Sequence, residues 1–270
     1  MREFEILARG CYQPAQLVIA YDPALTMPST PSTHEWLDAL WQRKLVRARE
    51  RGIRLFDAPV YRLSSIEVRP DGTLHLLLGN TTYKEYVTTR DPEFATGREP
   101  HELGNPLSTC SVIETSDDYI LLDKRQDVDV YEGRYHTIGG AFERGRDTTE
   151  GRPDPFKAIR REIREETGVQ EDDIAEQYCL GAVYDLLTPH SELCFLTRLR
   201  IPLSTVHTRT PEDDEIKQLH TLAVTAESLR AFILEHHGAI SATGEPNLLL
   251  YSGLKFGEAW FEEIMHNIAQ

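Results

Sequence analysis

The 270-residue chain has four cysteines, three methionines and no long apolar run, and only 29 basic side chains stand against 44 acidic ones. Each scarcity excludes something. Cys11, Cys110, Cys179 and Cys194 lie far apart with no C-x-x-C pair, so neither a disulfide framework nor a zinc site is indicated. They read as ordinary thiols of a reducing compartment. No apolar stretch approaches the ~20 residues of a membrane span, and the opening MREFEILARGCYQP carries charges where a secretory signal needs its apolar segment. The expectation is a soluble, cytoplasmic protein. The shortage of Lys and Arg leaves a formal charge of −15, which repels polyanions and argues against nucleic acid or an anionic membrane as partner. An anionic small substrate then needs a cation to mediate it.

What is present suffices for a core, with 40% hydrophobic residues, and the length fits one large domain or two modest ones. In the first hundred residues, Ser32 and Glu35 are spaced as a capping box. Trp36, Leu37, Leu40, Trp41 and Leu45 recur at helical intervals up to Gly52, which predicts a helix over roughly 33–51. Alternating Ile66 and Val68, then Leu74, Leu76 and Leu78, flank Pro70-Asp71-Gly72 and predict a β-hairpin. The polar, Pro- and Gly-rich stretch 90–105 reads as a linker, dividing the chain into an N-terminal α/β domain (1–105) and a second domain (106–270). In the second part a hairpin turns at Ser116–Asp118, and a short strand ends in Gly139-Gly140. A helix is expected at Pro155–Thr167, with Pro in its first turn and Gly168 just past its end. Two strands follow, the second with Leu193, Phe195, Thr197, Leu199 and Ile201 on one face. Helices from about Ala226 to His236 and from Pro246 through Trp260 and Phe261 close the chain.

The chemistry concentrates in REIREETGV, Arg161 to Val169. At about 100° per residue, Glu162, Glu165 and Glu166 share one stripe of a helix, beside an apolar stripe of Phe156, Ile159 and Ile163. Three clustered carboxylates repel one another unless a cation neutralises them, and hard oxygen donors favour Mg²⁺ or Mn²⁺. The alternative is a solvated helix with Glu and Arg paired along its face. His136 and His190 are expected to be structural or exposed, and His236-His237 to interact with the last carbonyls of a helix.

The order R-E-apolar-x-E-E-x-G-apolar resembles the second half of the Nudix box, and all seven specified positions match. Gly139-Gly140 and AFERG resemble its glycine pair and loop. The box glutamate does not match: counted from Gly140 it falls on Arg146, and counted back from Arg161 it falls on Pro153. The loop is longer than the family pattern by about seven residues, and Asp147 or Glu150 are the nearby carboxylates. The resemblance implies an α+β fold, a Nudix α/β/α sandwich with a mixed sheet preceded by a smaller α/β domain. It implies divalent metal on Glu162, Glu165, Glu166 and the carbonyl of Gly139, with Gly140, Arg161 and Gly168 structural. The catalytic base is then drawn from Glu165, Glu166 and Glu215, while Glu212 reads more readily as part of a solvated acidic loop. Further segments, LFDAPVYRL, LGNTTYKEYVTT, NPL and TSDDYILLDKR, resemble the branch of that superfamily that hydrolyses UDP-glucose and UDP-galactose. This implies a nucleotide-sugar substrate split to UMP and sugar 1-phosphate, with Phe56, Tyr61, Thr81, Tyr83 and Thr89 as candidate contacts. ADP-ribose or a dinucleotide as substrate, or a non-catalytic nucleotide-binding module, are the other readings.

Overall fold

The structure, a computed structural model, describes residues 2–53, 55–126, 128–212 and 219–269. Strand β1 (Phe4–Tyr12) and, after a 3-10 turn, β2 (Leu17–Tyr21) open the chain. Helix α1 (Pro31–Glu50) starts earlier than the Ser32/Glu35 spacing predicts. Pro31 suits the first helical position because it has no N–H to leave unpaired, so Thr30 becomes the cap, its hydroxyl accepting from Thr33 N at 3.2 Å. The predicted hairpin forms from β3 (Pro59–Val68) and β4 (Leu74–Thr82), its turn held by the Asp71 carboxylate on Thr73 N and Oγ1. Strand β2 adds to β4 in parallel, giving a three-stranded sheet. Helices α2 (Tyr83–Thr89) and α3 (Pro92–Ala95) follow, so the expected linker carries α3 and a 3-10 turn, and ends on buried Leu103 and Asn105.

The second half supplies β5 (Leu107–Glu114), β6 (Tyr119–Lys124), β7 (Tyr135–His136), β8 (Ile138–Ala141), β9 (Thr148–Thr149), β10 (Arg152–Pro153) and α4 (Pro155–Thr167). Then come β11 (Ile174–Asp185), β12 (His190–Leu199), α5 (Leu203–Val206), β13 (Leu219–Ala223), α6 (Ala226–Glu235), α7 (Gly244–Phe256) and α8 (Glu258–Ile268). The final helix expected from Pro246 is two helices. Gly257 sits at φ +96°, a conformation that L side chains rarely adopt, and the chain turns there.

The large sheet runs β1-β11-β12-β5-β6-β13, with β8 on β5 and β7 on β6, and its β12–β5 pair is parallel while its other pairs are antiparallel. Both faces are covered. Phe156, Ile159 and Ile163 of α4 pack with Leu193, Phe195 and Leu199 on one face, where the Phe156 and Phe195 rings lie 5.1 Å apart. Cys194 and Leu196 point the other way and pack with Leu248, Leu249 and Tyr251 of α7, with Ile233 of α6 and with Ile264 of α8. The fold is therefore a mixed α+β sandwich, and β12 is apolar on both faces because it lies inside it. Strand β1, from the first hundred residues, hydrogen-bonds to β11 and so crosses the division expected at residue 105. The small sheet also docks edgewise on the large one: Tyr61 N donates to Phe142 O at 3.0 Å and Leu63 N to Asn105 O at 3.1 Å. Among the described residues no helix is long and apolar enough to cross a membrane.

Candidate active site

Helix α4 has the predicted bounds for identifiable reasons. Asp154 caps it by accepting from Lys157 N at 3.0 Å, Pro155 occupies its first turn, and Gly168 ends it in the left-handed region at φ +73°. A Cβ on Gly168 would also stand 2.5 Å from the Thr210 carbonyl oxygen, so glycine is required there twice over. Burial of the apolar stripe turns Glu162 toward the end of β8. There Gly140 leaves room for a carboxylate: a Cβ on it would lie 2.5 Å from Glu162 Oε1. Gly139 is tight for another reason, since its Cβ would meet Thr109 O at 2.2 Å on neighbouring β5.

Arg161 ties this corner together. Its Nε and Nη2 each donate to Asp147 at 2.8 Å, Nη1 donates to Glu162 at 2.8 Å and Glu165 at 3.0 Å, and Nη2 also reaches Ala141 O at 2.9 Å. One planar fork thus meets three carboxylates and a glycine-loop carbonyl. Burial works against its charge, but the Asp147 hydrogen bonds, with Glu162 and Glu165, push its pKa further up. Glu165 is held from a second side by Arg146, whose Nη2 lies 2.6 Å from Oε1 and whose Nη1 lies 3.0 Å from Glu143 Oε1.

The extra loop length has a local solution. Asp154 N donates to Asp147 O at 2.9 Å, and the residues between fold back as the β9–β10 hairpin, turning at Glu150 and Gly151 with φ +51° and +75°. The insertion thus leaves the loop through a closed neck. Asp147 stays behind, completely buried, with Oδ2 also accepting from Glu143 N at 2.7 Å. Of the two carboxylates near the missing box glutamate, Asp147 is the one that reaches Arg161, while Glu150 is exposed at the hairpin tip.

The donor chemistry fits a hard divalent cation, for three carboxylates project from one helix stripe and one of them already lies against the glycine pair. As the side chains stand, guanidinium groups meet that charge. Among the described residues no three His, Cys, Asp or Glu side chains form a group that could hold a metal ion. Both oxygens of Glu165 have a guanidinium partner, Oε1 in Arg146 and Oε2 in Arg161. Glu215 lies outside the described residues. Glu212, as expected of a solvated loop, is paired at the surface with Arg164 Nε at 2.9 Å, and its backbone N caps the Glu165 carbonyl at 2.8 Å.

The five candidates from the first hundred residues are not brought to the carboxylates as a group. Tyr61 is buried between Tyr21 and Phe142, with ring centroids 5.4 and 4.5 Å away, so it braces the glycine loop from behind. The Thr81 hydroxyl donates to Glu85 at 2.7 Å, and that of Thr89 donates to Glu85 O and accepts from Gly104 N. Both hydroxyls are thus committed inside the protein. Tyr83 packs against Tyr86 at 5.8 Å, and Phe56 is exposed. The residue from that loop which joins the two sheets is one the sequence reading passed over: Arg144, donating to Val60 O at 3.2 Å and Thr81 O at 3.3 Å. The signal was the density of arginine in AFERGRD.

A second charged cluster lies on the opposite face of the sheet. His190 and His136, expected to be structural or exposed, are both buried. Glu192 stands between them, 3.7 Å from His190 Nε2 and 3.8 Å from His136 Nε2. Asp185 accepts from the Tyr131 hydroxyl, Leu187 N, Thr188 N and the Thr188 hydroxyl. Burial opposes the His190 imidazolium, but Tyr86, Glu192 and Asp185 outweigh it and push its pKa up to about 10. For His136 burial prevails over Glu192 and holds it down at about 4. His236 does meet the last carbonyls, with Nδ1 3.0 Å from Phe232 O, whereas His237 pairs with Glu245 instead.

No protein-family model matches this sequence, and no curated protein does. Solved structures give distant likenesses. One is the Deinococcus radiodurans protein DR0079, with TM-score 0.36 and 19% identity, covering 54% of this chain and 80% of that one. A second is a bifunctional NMN adenylyltransferase/ADP ribose pyrophosphatase of Francisella tularensis, with TM-score 0.41 and 13% identity, covering 63% of this chain and 45% of that one. A third is RenU, a Nudix hydrolase of M. smegmatis, with TM-score 0.36 and 11% identity, covering 56% and 84%. All three are weak, so what the site does rests on its own residues.

Proposed function

We propose that the chain is a divalent-metal-dependent hydrolase of the Nudix kind, cleaving the diphosphate linkage of a UDP-sugar to UMP and sugar 1-phosphate. One observation carries this reading: REIREETGV forms a helix whose Glu162 rests against Gly140 and whose Arg161 binds the glycine loop and two of the three glutamates. A solvated helix would not bury Arg161 and Glu162 together, each 7% exposed.

Glu162, Glu165 and Glu166, with the Gly139 carbonyl, would hold Mg²⁺ or Mn²⁺. The ion supplies charge neutralisation for the diphosphate and a lowered pKa for the attacking water. The chain's own residues do the rest. Asp147 and Arg161 fix the glycine loop and the Glu162 rotamer, so the donors are preorganised and reorganise little during reaction. A carboxylate oxygen of Glu165, Glu166 or Glu215 takes the proton from water. Specificity for uridine and the sugar must come from groups outside the box, since any such site holds a diphosphate. The small sheet docked on residues 142–144, with Phe56 and Tyr83 beside it in sequence, is the proposed source. The test is Mg²⁺-dependent turnover of UDP-glucose, UDP-galactose, ADP-ribose and a dinucleotide side by side. Higher kcat/KM for a UDP-sugar supports the reading; a better rate on ADP-ribose or a dinucleotide removes the uridine and leaves the hydrolase; binding without turnover makes the chain a nucleotide-binding module.

A further inference from the structure

Counted from the glycine pair, the position where the pattern carries glutamate is Arg146, a reversal of charge at the edge of a carboxylate cluster. Its surroundings differ from those of Arg161. The Arg161 side chain is 8% exposed and bound to four groups; that of Arg146 is 51% exposed and bound to two, Glu143 and Glu165. A half-exposed ion pair is weak and easily exchanged, whereas a buried fork is not. Of the other arginines around the cluster, Arg144 is bound to the Val60 and Thr81 carbonyls, and Arg164 pairs with Glu212 while its Nη2 stands 4.0 Å from Glu165 Oε1, farther than the 2.6 Å of Arg146. A dication arriving at Glu165 would repel the guanidinium that now covers it. That guanidinium would then stand free beside a site that needs cations, in a chain of charge −15.

We propose that Arg146 is a substrate-binding residue held in reserve: it covers Glu165 until a divalent ion takes that carboxylate, and then its fork takes non-bridging oxygens of the substrate diphosphate. This role rests on the metal-site reading above. It makes metal and diphosphate binding cooperative, because the ion releases the group that the anion needs. A planar fork suits two phosphate oxygens in a way that a lysine ammonium does not.

The experiment is calorimetric titration of the full chain with Mn²⁺ alone, then with methylenediphosphonate at saturating Mn²⁺, for the wild type, Arg146→Gln, Arg146→Lys and Glu165→Gln. Removing the competing ion pair in Arg146→Gln is expected to tighten Mn²⁺ binding about two- to fivefold. The same variant is expected to bind the diphosphonate about tenfold more weakly, through loss of a charge-assisted contact. Arg146→Lys should keep near-wild-type Mn²⁺ affinity and lose most of the diphosphonate affinity. Unchanged or weakened Mn²⁺ binding in Arg146→Gln, or unchanged diphosphonate binding in it, overturns the role of Arg146. If Glu165→Gln binds Mn²⁺ as the wild type does, the metal-site reading falls, and Arg146 with it. If Glu165→Gln loses Mn²⁺ while Arg146→Gln matches the wild type throughout, the metal site stands and only Arg146 is wrong.

Discussion

Two charged clusters occupy opposite faces of the same sheet, and they solve burial differently. Around Asp185, His190 and Glu192 the partners are backbone N–H groups, hydroxyls and imidazoles, and the three residues are 0%, 8% and 3% exposed. Around Glu165 the partners are arginines, one of them half exposed, and the carboxylates outnumber them. The first cluster is closed and holds the fold together; the second is open, with a cation that can be exchanged. Burying charge in a satisfied network rigidifies, while balancing it with a surface arginine leaves it available to a ligand.

Breaking the closed cluster should give the largest effect. Glu192→Gln removes the carboxylate between two buried imidazoles and leaves the His190 charge short of a partner, which costs about 3–5 kcal/mol of stability. Thermal unfolding should show a fall on the order of 10 °C, and a melting temperature within a degree or two of wild type would refute the assignment. In the open cluster the effect moves from stability to rate. Glu165→Gln or Glu166→Gln should lower Mg²⁺-dependent turnover about a hundredfold or more with the melting curve nearly unchanged. Full activity in both variants would show that these carboxylates are not the working site.

Arg161→Lys lies between the two behaviours, because it keeps the charge and loses the fork on Asp147. Metal affinity and rate should both fall about tenfold, as for groups that orient ligands. If calorimetry shows metal binding unchanged while the rate falls, Arg161 acts on substrate instead. The most gradual effect is the pH dependence of stability, spread over several pH units. His190, raised to about 10 from 6.5, contributes fully below pH 6.5 and loses its contribution as pH rises toward 10. His136, lowered to about 4, contributes fully above pH 6.5 and loses it as pH falls through 4, joined lower still by Glu192, whose buried charge its histidine partners hold at about 2. Stability from this cluster should therefore peak near pH 6.5. Melting curves from pH 4 to 10 should show His190→Asn flattening the alkaline limb and sparing the acid one.

The contrast also separates what sequence could show from what it could not. Helix α4 was legible to its bounds because Asp154, Pro155 and Gly168 act within a turn of themselves, and the carboxylate stripe follows from helical spacing alone. The break at Gly257 was not, since a lone glycine in an apolar helical run gives no sign of its φ. The second cluster was hidden because His190 and Glu192 sit on a strand buried on both faces, where alternation carries no message. The sequence does not tell Asp147 from Glu150; the hairpin neck at Asp154, which leaves Asp147 beside Arg161 and Glu150 at the exposed tip, is a contact, which local pattern does not encode.

The pairing of β1 with β11, Phe4 opposite Asp185 and Tyr12 opposite Cys179, bears on how the protein is made. A ribosome delivers β1 long before its partner β11, which follows only after most of the site has emerged. During that interval the strand has an unmatched ladder of donors and acceptors, the kind of edge that recruits a second chain. Closing so long a loop is slow compared with forming the β3–β4 hairpin, so late docking of β1 is expected to limit the yield of folded protein during rapid expression.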